Sequence, residues 1–178
     1  MSQVVELHTY DSKWETTFFE MKQIYETALG DLAVAIEHIG STSVPGLSAK
    51  PILDIDIVIK DTNKLPKVIK ILERLGYFHQ GNLGIDGRES FRALDAKSPL
   101  DNKGTRWMNH HLYVCPQDSR EFKRHIAFRD YLREHNHAAK AYENIKVDLA
   151  VMVETREEYT EGKTAFVEMI LQKALKND

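Results

Sequence analysis

The segment Ile52-Leu53-Asp54-Ile55-Asp56-Ile57-Val58-Ile59 limits the folds open to this chain more than any other stretch of it. Side chains alternate between the two faces of a strand. Read as part of a strand over residues 52–60, the segment puts Leu53, Ile55, Ile57 and Ile59 on one face, which must be core, and Asp54 and Asp56 on the other. The two carboxylates then stand roughly 7 Å apart by the strand rise. Their repulsion has to be relieved by protonation, a basic partner or a metal. Hard cations such as Mg2+ (or Mn2+) take oxygen ligands, and magnesium binds through one or two carboxylates plus substrate phosphates. Taken alone, an Asp-x-Asp pair is most simply a solvated sheet face.

The upstream context shifts that balance. Val34 to Ile39 reads as a strand, and Gly40 to Ala49 as a loop rich in Gly, Ser, Thr and Pro. In Gly40-Ser41-Thr42-Ser43 the small residues let backbone N–H groups and hydroxyls approach phosphate oxygens closely. Alone, that tetrad is a plain turn or helix cap. A strand, a small-residue turn and a second strand with paired acids together predict one polar site between Glu37 and Val58, suited to a divalent metal and a phosphate. Glu37 and His38 point to opposite faces, so one of them enters the site. The plainer reading of His38 is a hydrogen-bonded histidine that braces the turn.

Around this centre, Ser12 and Glu15 have capping-box spacing, and Trp14, Phe18, Met21, Tyr25 and Ala28 follow at helical intervals up to Gly30. Asn63 caps a second helix with Pro66 in its first turn, an apolar face of Val68, Ile69, Leu72 and Leu75, and an end at Gly76. Short strands are expected at Tyr77 to Gln80, Ser90 to Leu94 and His110 to Cys115, with a polar, mobile loop from Asp95 to Trp107. Helices follow from about Ser119 to Glu134, from Ala138 to Val153 with Ile145, Leu149 and Met152 turned inward, and from near Gly162 to Leu175 with Phe166, Ile170 and Leu175 in the core. This order describes an α+β (mixed α/β) domain over residues 1–178, a mixed sheet with flanking helices and a helical C-terminal region.

A length of 178 residues fits one domain. The net charge of −3 and the lack of a legible nucleic-acid module argue against a nucleic-acid partner. One cysteine, Cys115, forbids an intramolecular disulfide and favours a reducing compartment. No basic segment followed by an apolar run opens the chain, and no apolar run reaches the ~18 residues a membrane span needs. The expected location is the cytoplasm, with no membrane partner.

The run His38-Ile39-Gly40-Ser41-Thr42-Ser43-Val44-Pro45-Gly46-Leu47, then Ala49-Lys50-Pro51, then Asp54-Ile55-Asp56, resembles the signature of the GrpB family. That family is placed in the nucleotidyltransferase superfamily typified by DNA polymerase beta, whose pattern is a Gly-Ser pair followed by an Asp-x-Asp/Glu on a strand. Gly87-Arg88 with Phe91-Arg92, His111-Leu112-Tyr113-Val114, and Phe128-Arg129-Asp130-Tyr131-Leu132 followed by Tyr142 and Lys146 extend the likeness over most of the chain. The resemblance implies a nucleotidyltransferase-like fold and transfer of a nucleoside monophosphate from a nucleoside triphosphate to an acceptor. In that scheme Gly40, Ser41, Thr42 and Ser43 hold phosphate oxygens, Asp54 and Asp56 hold Mg2+, and Lys50, Arg88 and Arg92 balance the phosphate charge. Active superfamily members add a third carboxylate on a neighbouring strand. Here the strand His110 to Cys115 has none and offers His111, a candidate general base, acceptor-binding group or ligand of a softer metal. Glu37 and Glu89 are candidates for the missing acid.

Other residues have plainer readings. His110, His111 and Cys115 match no common zinc spacing, and Cys115 reads as a small core residue. Arg120, Lys123, Arg124, Arg129 and Arg133 interleave with Glu121, Asp130 and Glu134, which describes a solvated helix face; a sharper reading turns Arg129 to the site. Two further functions fit the same residues: a non-catalytic nucleotide- or phosphate-binding module, and a metal-dependent phosphohydrolase, which would release orthophosphate.

Overall fold

The structure, a computed structural model, describes residues 5–176. Five strands form one mixed sheet in the order β1-β2-β5-β4-β3: β1 Ala33–Ile39, β2 Leu53–Ile59, β3 Tyr77–Gly81, β4 Glu89–Ala93 and β5 His110–Pro116. The central pair, β2 and β5, is parallel and the others are antiparallel. The architecture is α+β, as the order of elements predicts.

One face of the sheet is closed by α1 (Lys13–Leu29) and α2 (Leu65–Arg74). Trp14, Phe18, Met21, Tyr25 and Leu29 fall on one side of α1 and meet Leu53, Ile55, Ile57 and Ile59 of β2. The last helical contact is Leu29, where the periodicity points to Ala28. Each of these large side chains contributes about 1.5–3 kcal/mol when fully buried. Ser12 makes no side-chain cap; instead Asp11 Oδ1 accepts the Lys13 N–H at 2.9 Å. Before α2, Asp61 Oδ1 accepts the Asn63 N–H at 2.9 Å, so the acid rather than Asn63 is the cap. Tyr25, Tyr77 and His110 form a buried relay, with 2.6 Å between the hydroxyls and 2.7 Å from Tyr77 to His110 Nε2. His110 Nδ1–H donates onward to the Met108 carbonyl. His110 is thereby committed to the core side of β5, away from His111.

The loop expected to be mobile is tied down. Ser98 Oγ donates to the Gly76 carbonyl at 2.6 Å, Leu100 N–H to the Leu75 carbonyl at 3.0 Å, and Trp107 Nε1–H to the Pro99 carbonyl at 2.9 Å.

The other face of the sheet is covered over β1, β2 and β5 by α3 (Arg120–Glu134), with α4 (Asn136–Met152), α5 (Arg156–Gly162) and α6 (Thr164–Ala174) behind it. Ser119 Oγ caps α3 by accepting the Phe122 N–H. Val44 and Leu47, just after the Gly40 turn, pack with Leu132, Tyr142, Phe128 and Phe166, so the turn and the helical region share one apolar cluster. The inward stripe of α4 is Tyr142, Lys146 and Ala150, and Met152 is 78% exposed. A reading by apolar periodicity passes over this stripe because a lysine occupies its middle. Phe166 and Ile170 are packed as expected, whereas Leu175 lies exposed past the end of α6. The short helix α5 escapes the same reading, although Thr155 and Glu158 form a complete capping box at its start.

Candidate functional site

Strand register brings the polar residues of three strands together. Glu37 pairs with Asp56 and Ile39 with Asp54 across β1 and β2, while Asp54 pairs with His111 and Asp56 with Tyr113 across β2 and β5. Cross-strand partners share a face. Glu37, Asp54, Asp56, His111 and Tyr113 therefore all face α3 and not the apolar core. This is no solvated sheet face, because Asp56 is fully buried.

Helix α3 answers the carboxylates with His125, Arg129 and Arg133, spaced four residues apart and so on one helical face. His125 Nδ1–H donates to Asp56 Oδ2 at 2.7 Å. Arg129 Nη1 donates to Glu37 Oε2 at 2.7 Å and to the His38 carbonyl at 3.0 Å. Arg133 donates to the Ser43 carbonyl from Nε at 3.0 Å and from Nη2 at 2.7 Å. The expectation of a solvated basic face is overturned for these positions, and the reading with Arg129 at the site holds. On β5, His111 Nδ1–H donates to Asp54 Oδ1 at 2.8 Å. Of the ways to relieve carboxylate repulsion, the chain uses basic partners: each Asp has its own histidine. A carboxylate only accepts, so both Nδ1 atoms carry hydrogen and both Nε2 atoms are left for other partners.

The turn abuts this pair. Gly40 has φ of 71°, and a Cβ there would run into the Asp54 carboxylate. Ser43 Oγ donates back to the Gly40 carbonyl at 2.6 Å. Thr42 is buried against His38 Nε2 at 2.9 Å, and the His38 ring stacks on Phe18 with 4.8 Å between centroids. Burial lowers the His38 pKa to about 4, which keeps the ring neutral. His38 thus braces the turn, and Glu37 is the member of the pair on the site face, already held by Arg129. Ser41 and Tyr142 both line the adjoining cavity.

Two cavities meet at Gly40 and Asp54. One, of about 260 Å³, lies between the turn, α4 and α5 and is lined by Ser41, Lys50, His111, Lys146 and Lys163. The other, of about 420 Å³, lies under α3 and α6 and is lined by Arg88, Tyr113, Arg124 and His125. The Arg88 guanidinium sits 4.4 Å over the Tyr113 ring. Arg92 reaches neither cavity: it lies 5.6 Å over Phe78 and lines a separate groove beyond His111. Glu89 shares the opposite face with Phe91 and is engaged by His79 Nε2 at 2.7 Å, so it cannot supply a third acid. Cys115 is buried, and burial pushes its thiol pKa up, away from nucleophilic character.

Burial, with Asp54 adding to it, raises the Asp56 pKa against the opposing pull of His125. Asp56 Oδ1 is buried without a hydrogen-bond partner, as is Arg88 Nε. A cation would satisfy that oxygen. Among the described residues no group of three or more His, Cys, Asp or Glu could hold a metal. The donor set therefore fits a hard divalent cation held by Asp54 and Asp56 only if ligand oxygens complete its shell. His125, Lys146 and Lys163 also line the two cavities; the family likeness includes Lys146, and no motif singles out the other two. The four-residue spacing of His125, Arg129 and Arg133, and of Tyr142 and Lys146, is the signal that finds the first two.

Among the described residues no helix is long and apolar enough to cross a membrane. The family model described as GrpB protein matches residues 4–173. The UPF0157 protein YqkA of Bacillus subtilis (strain 168) is 34% identical over 164 residues, which cover 92% of this chain and 45% of that protein. This chain thus spans less than half the length of that relative. The crystal structure of the conserved protein GrpB from Enterococcus faecalis superposes with a TM-score of 0.80 at 33% identity, over 97% of this chain and 98% of that one. A distant likeness, with a TM-score of 0.45 and 10% identity over 86% of this chain and 48% of that one, is to Cid1 in complex with its short product ApU.

Proposed function

The chain belongs to the GrpB family, and from that premise we propose that its site moves a nucleoside monophosphate from a nucleoside triphosphate to an acceptor with a divalent metal, Mg2+ or Mn2+. The observation that carries this reading is the closeness of Gly40 to Asp54, which sets a small-residue turn beside an acid at one cavity, with Asp56 buried next to it on the same strand face. An acceptor hydroxyl attacks the α-phosphorus, the bond from that phosphorus to the bridging oxygen breaks, and pyrophosphate leaves. Ser41 and the turn amides hold phosphate oxygens, and Lys50 and Arg88 balance their charge. Asp54 and Asp56 hold the metal, which when bound neutralises charge developing on the phosphoryl group. His111, oriented through Nδ1, leaves Nε2 to accept the acceptor's proton.

The test is calorimetric titration with ATP, GTP, CTP and UTP, each with and without Mg2+. The expected result is binding that needs both Mg2+ and Asp54, and that Asp54→Asn abolishes. Failure of all four nucleotides to bind in a metal-dependent way would overturn the proposal. One pair of observations favours a second reading, a nucleotide-binding module without turnover: His111 stands opposite Asp54 on β5, and Glu37 is neutralised by Arg129. Sustained pyrophosphate release that disappears in Asp56→Ala would exclude the module.

A further inference from the structure

The arginines of α3 and the lysines of the 260 Å³ cavity differ in one respect. Arg124 and Arg129 are paired with Glu168 and Glu37. Among the described residues the lysines in ion pairs are Lys22 and Lys140, both on helix surfaces. Lys50, Lys146 and Lys163 converge on the cavity beside Ser41 and Asp54, and among the described residues none of the three has a carboxylate at ion-pair distance. Lys146 is 2% exposed, and its Nζ donates to the Ser48 carbonyl. The other contacts of these ammonium groups are aromatic faces: Lys50 lies 5.1 Å and Lys163 4.4 Å from the centroid of the same Tyr159 ring, and Lys146 lies 4.9 Å from that of Tyr142. Aromatic faces stabilise a cation far less than a counter-ion does.

We propose that Lys50, Lys146 and Lys163 form the seat for a phosphoanhydride chain of two or more phosphates, held between the Gly40 turn and α5. The inference deepens the nucleotidyl-transfer reading and rests on it for the role of that chain as the leaving pyrophosphate. Three facts fix the ligand class. The three lysines line one cavity whose single lining carboxylate is Asp54, and their ammonium groups sit over two different rings, so a chain of phosphates can meet them at more than one point. Ser41 adds a hydroxyl to the same wall, and the Thr160 hydroxyl, which donates to the Arg156 carbonyl at 3.0 Å, presents its oxygen there. The lysines already repel one another: burial first, then the neighbouring lysine, lowers the pKa of Lys146 to about 7 and of Lys163 to about 8. A polyanion removes that repulsion on binding.

The experiment titrates the full chain with inorganic tripolyphosphate, pyrophosphate and orthophosphate, without divalent metal, at neutral pH and low salt. Tripolyphosphate is expected to bind at least tenfold more tightly than orthophosphate. Lys163→Gln and Lys50→Gln, both at half-buried positions that fold more safely than a change at Lys146, are each expected to weaken it at least tenfold. Lys67→Gln on the far face of the molecule serves as the control with unchanged affinity. Asp54→Asn is expected to keep or tighten tripolyphosphate binding, although it abolishes metal-dependent nucleotide binding. No tripolyphosphate binding by the folded wild-type chain, or equal affinity in both lysine variants, overturns the proposal even if nucleotide turnover is found. Displacement of tripolyphosphate by ATP identifies a nucleoside polyphosphate as the ligand. Tripolyphosphate binding that none of the four nucleotides displaces supports the lysine seat for free polyphosphate and removes the transferase reading.

Discussion

On one face of β2, Leu53, Ile55 and Ile57 lie among apolar neighbours from α1 and β5. On the other face, one residue away, Asp54 and Asp56 are each held by one directed hydrogen bond from a histidine. The first environment is non-directional and scales with area; the second depends on distance and angle. The same strand thus anchors the fold on one side and positions chemistry on the other. Substitutions on the two faces should have separable effects.

The largest effect is expected on the apolar face. Ile55→Ala should lower stability by about 2–5 kcal/mol, through lost burial and the cavity left behind, in denaturant unfolding. Ligand affinity of the folded fraction should be unchanged. A loss under ~1 kcal/mol would break the comparison. Gly40→Ala crosses from one regime to the other. Its Cβ meets the Asp54 carboxylate at a positive φ, so a stability loss of about 1–3 kcal/mol should accompany at least a tenfold loss of metal-dependent nucleotide affinity.

A third test sharpens the comparison through pH. Lys146 titrates at about 7 in the folded chain against an ordinary value of 10.5, and burial is the main cause. Between those limits the unfolded chain holds a proton that the folded chain lacks, so this residue makes stability rise with pH across the window. Lys146→Met should flatten that rise, seen as a smaller difference in unfolding midpoint between pH 7 and pH 10 than in the wild type. An unchanged difference would mean that Lys146 keeps its charge with a counter-ion.

The apolar face was legible because alternation in β2 and helical spacing in α1 each encode a direction. The turn and the Asp-x-Asp pair were legible as residue types in order. Of their partners, His111 and, in its sharper reading, Arg129 were legible, whereas His125 and Arg133 were not. His125, Arg129 and Arg133 sit in a run dense with acids and bases, where composition suggests solvent and only spacing reveals one face. Lys146 occupies a buried helical position that hydrophobicity assigns to nobody. Arg92 shows the reverse error: it matches in sequence, but β4 directs it to a different groove from the one Arg88 borders. The sequence carries residue chemistry, while α3, α5 and strand register decide which chemistry meets.

The meeting of Gly40 with Asp54 has a thermodynamic consequence. Two separate restraints exclude a side chain at position 40: the positive φ, which belongs to the backbone, and the space taken by the carboxylate, which belongs to residue 54. Only the second disappears when the acid is shortened. The two sites should therefore be non-additive, with Gly40→Ala costing less in an Asp54→Ala background than in the wild type. That difference measures the steric restraint alone, and what remains measures the turn.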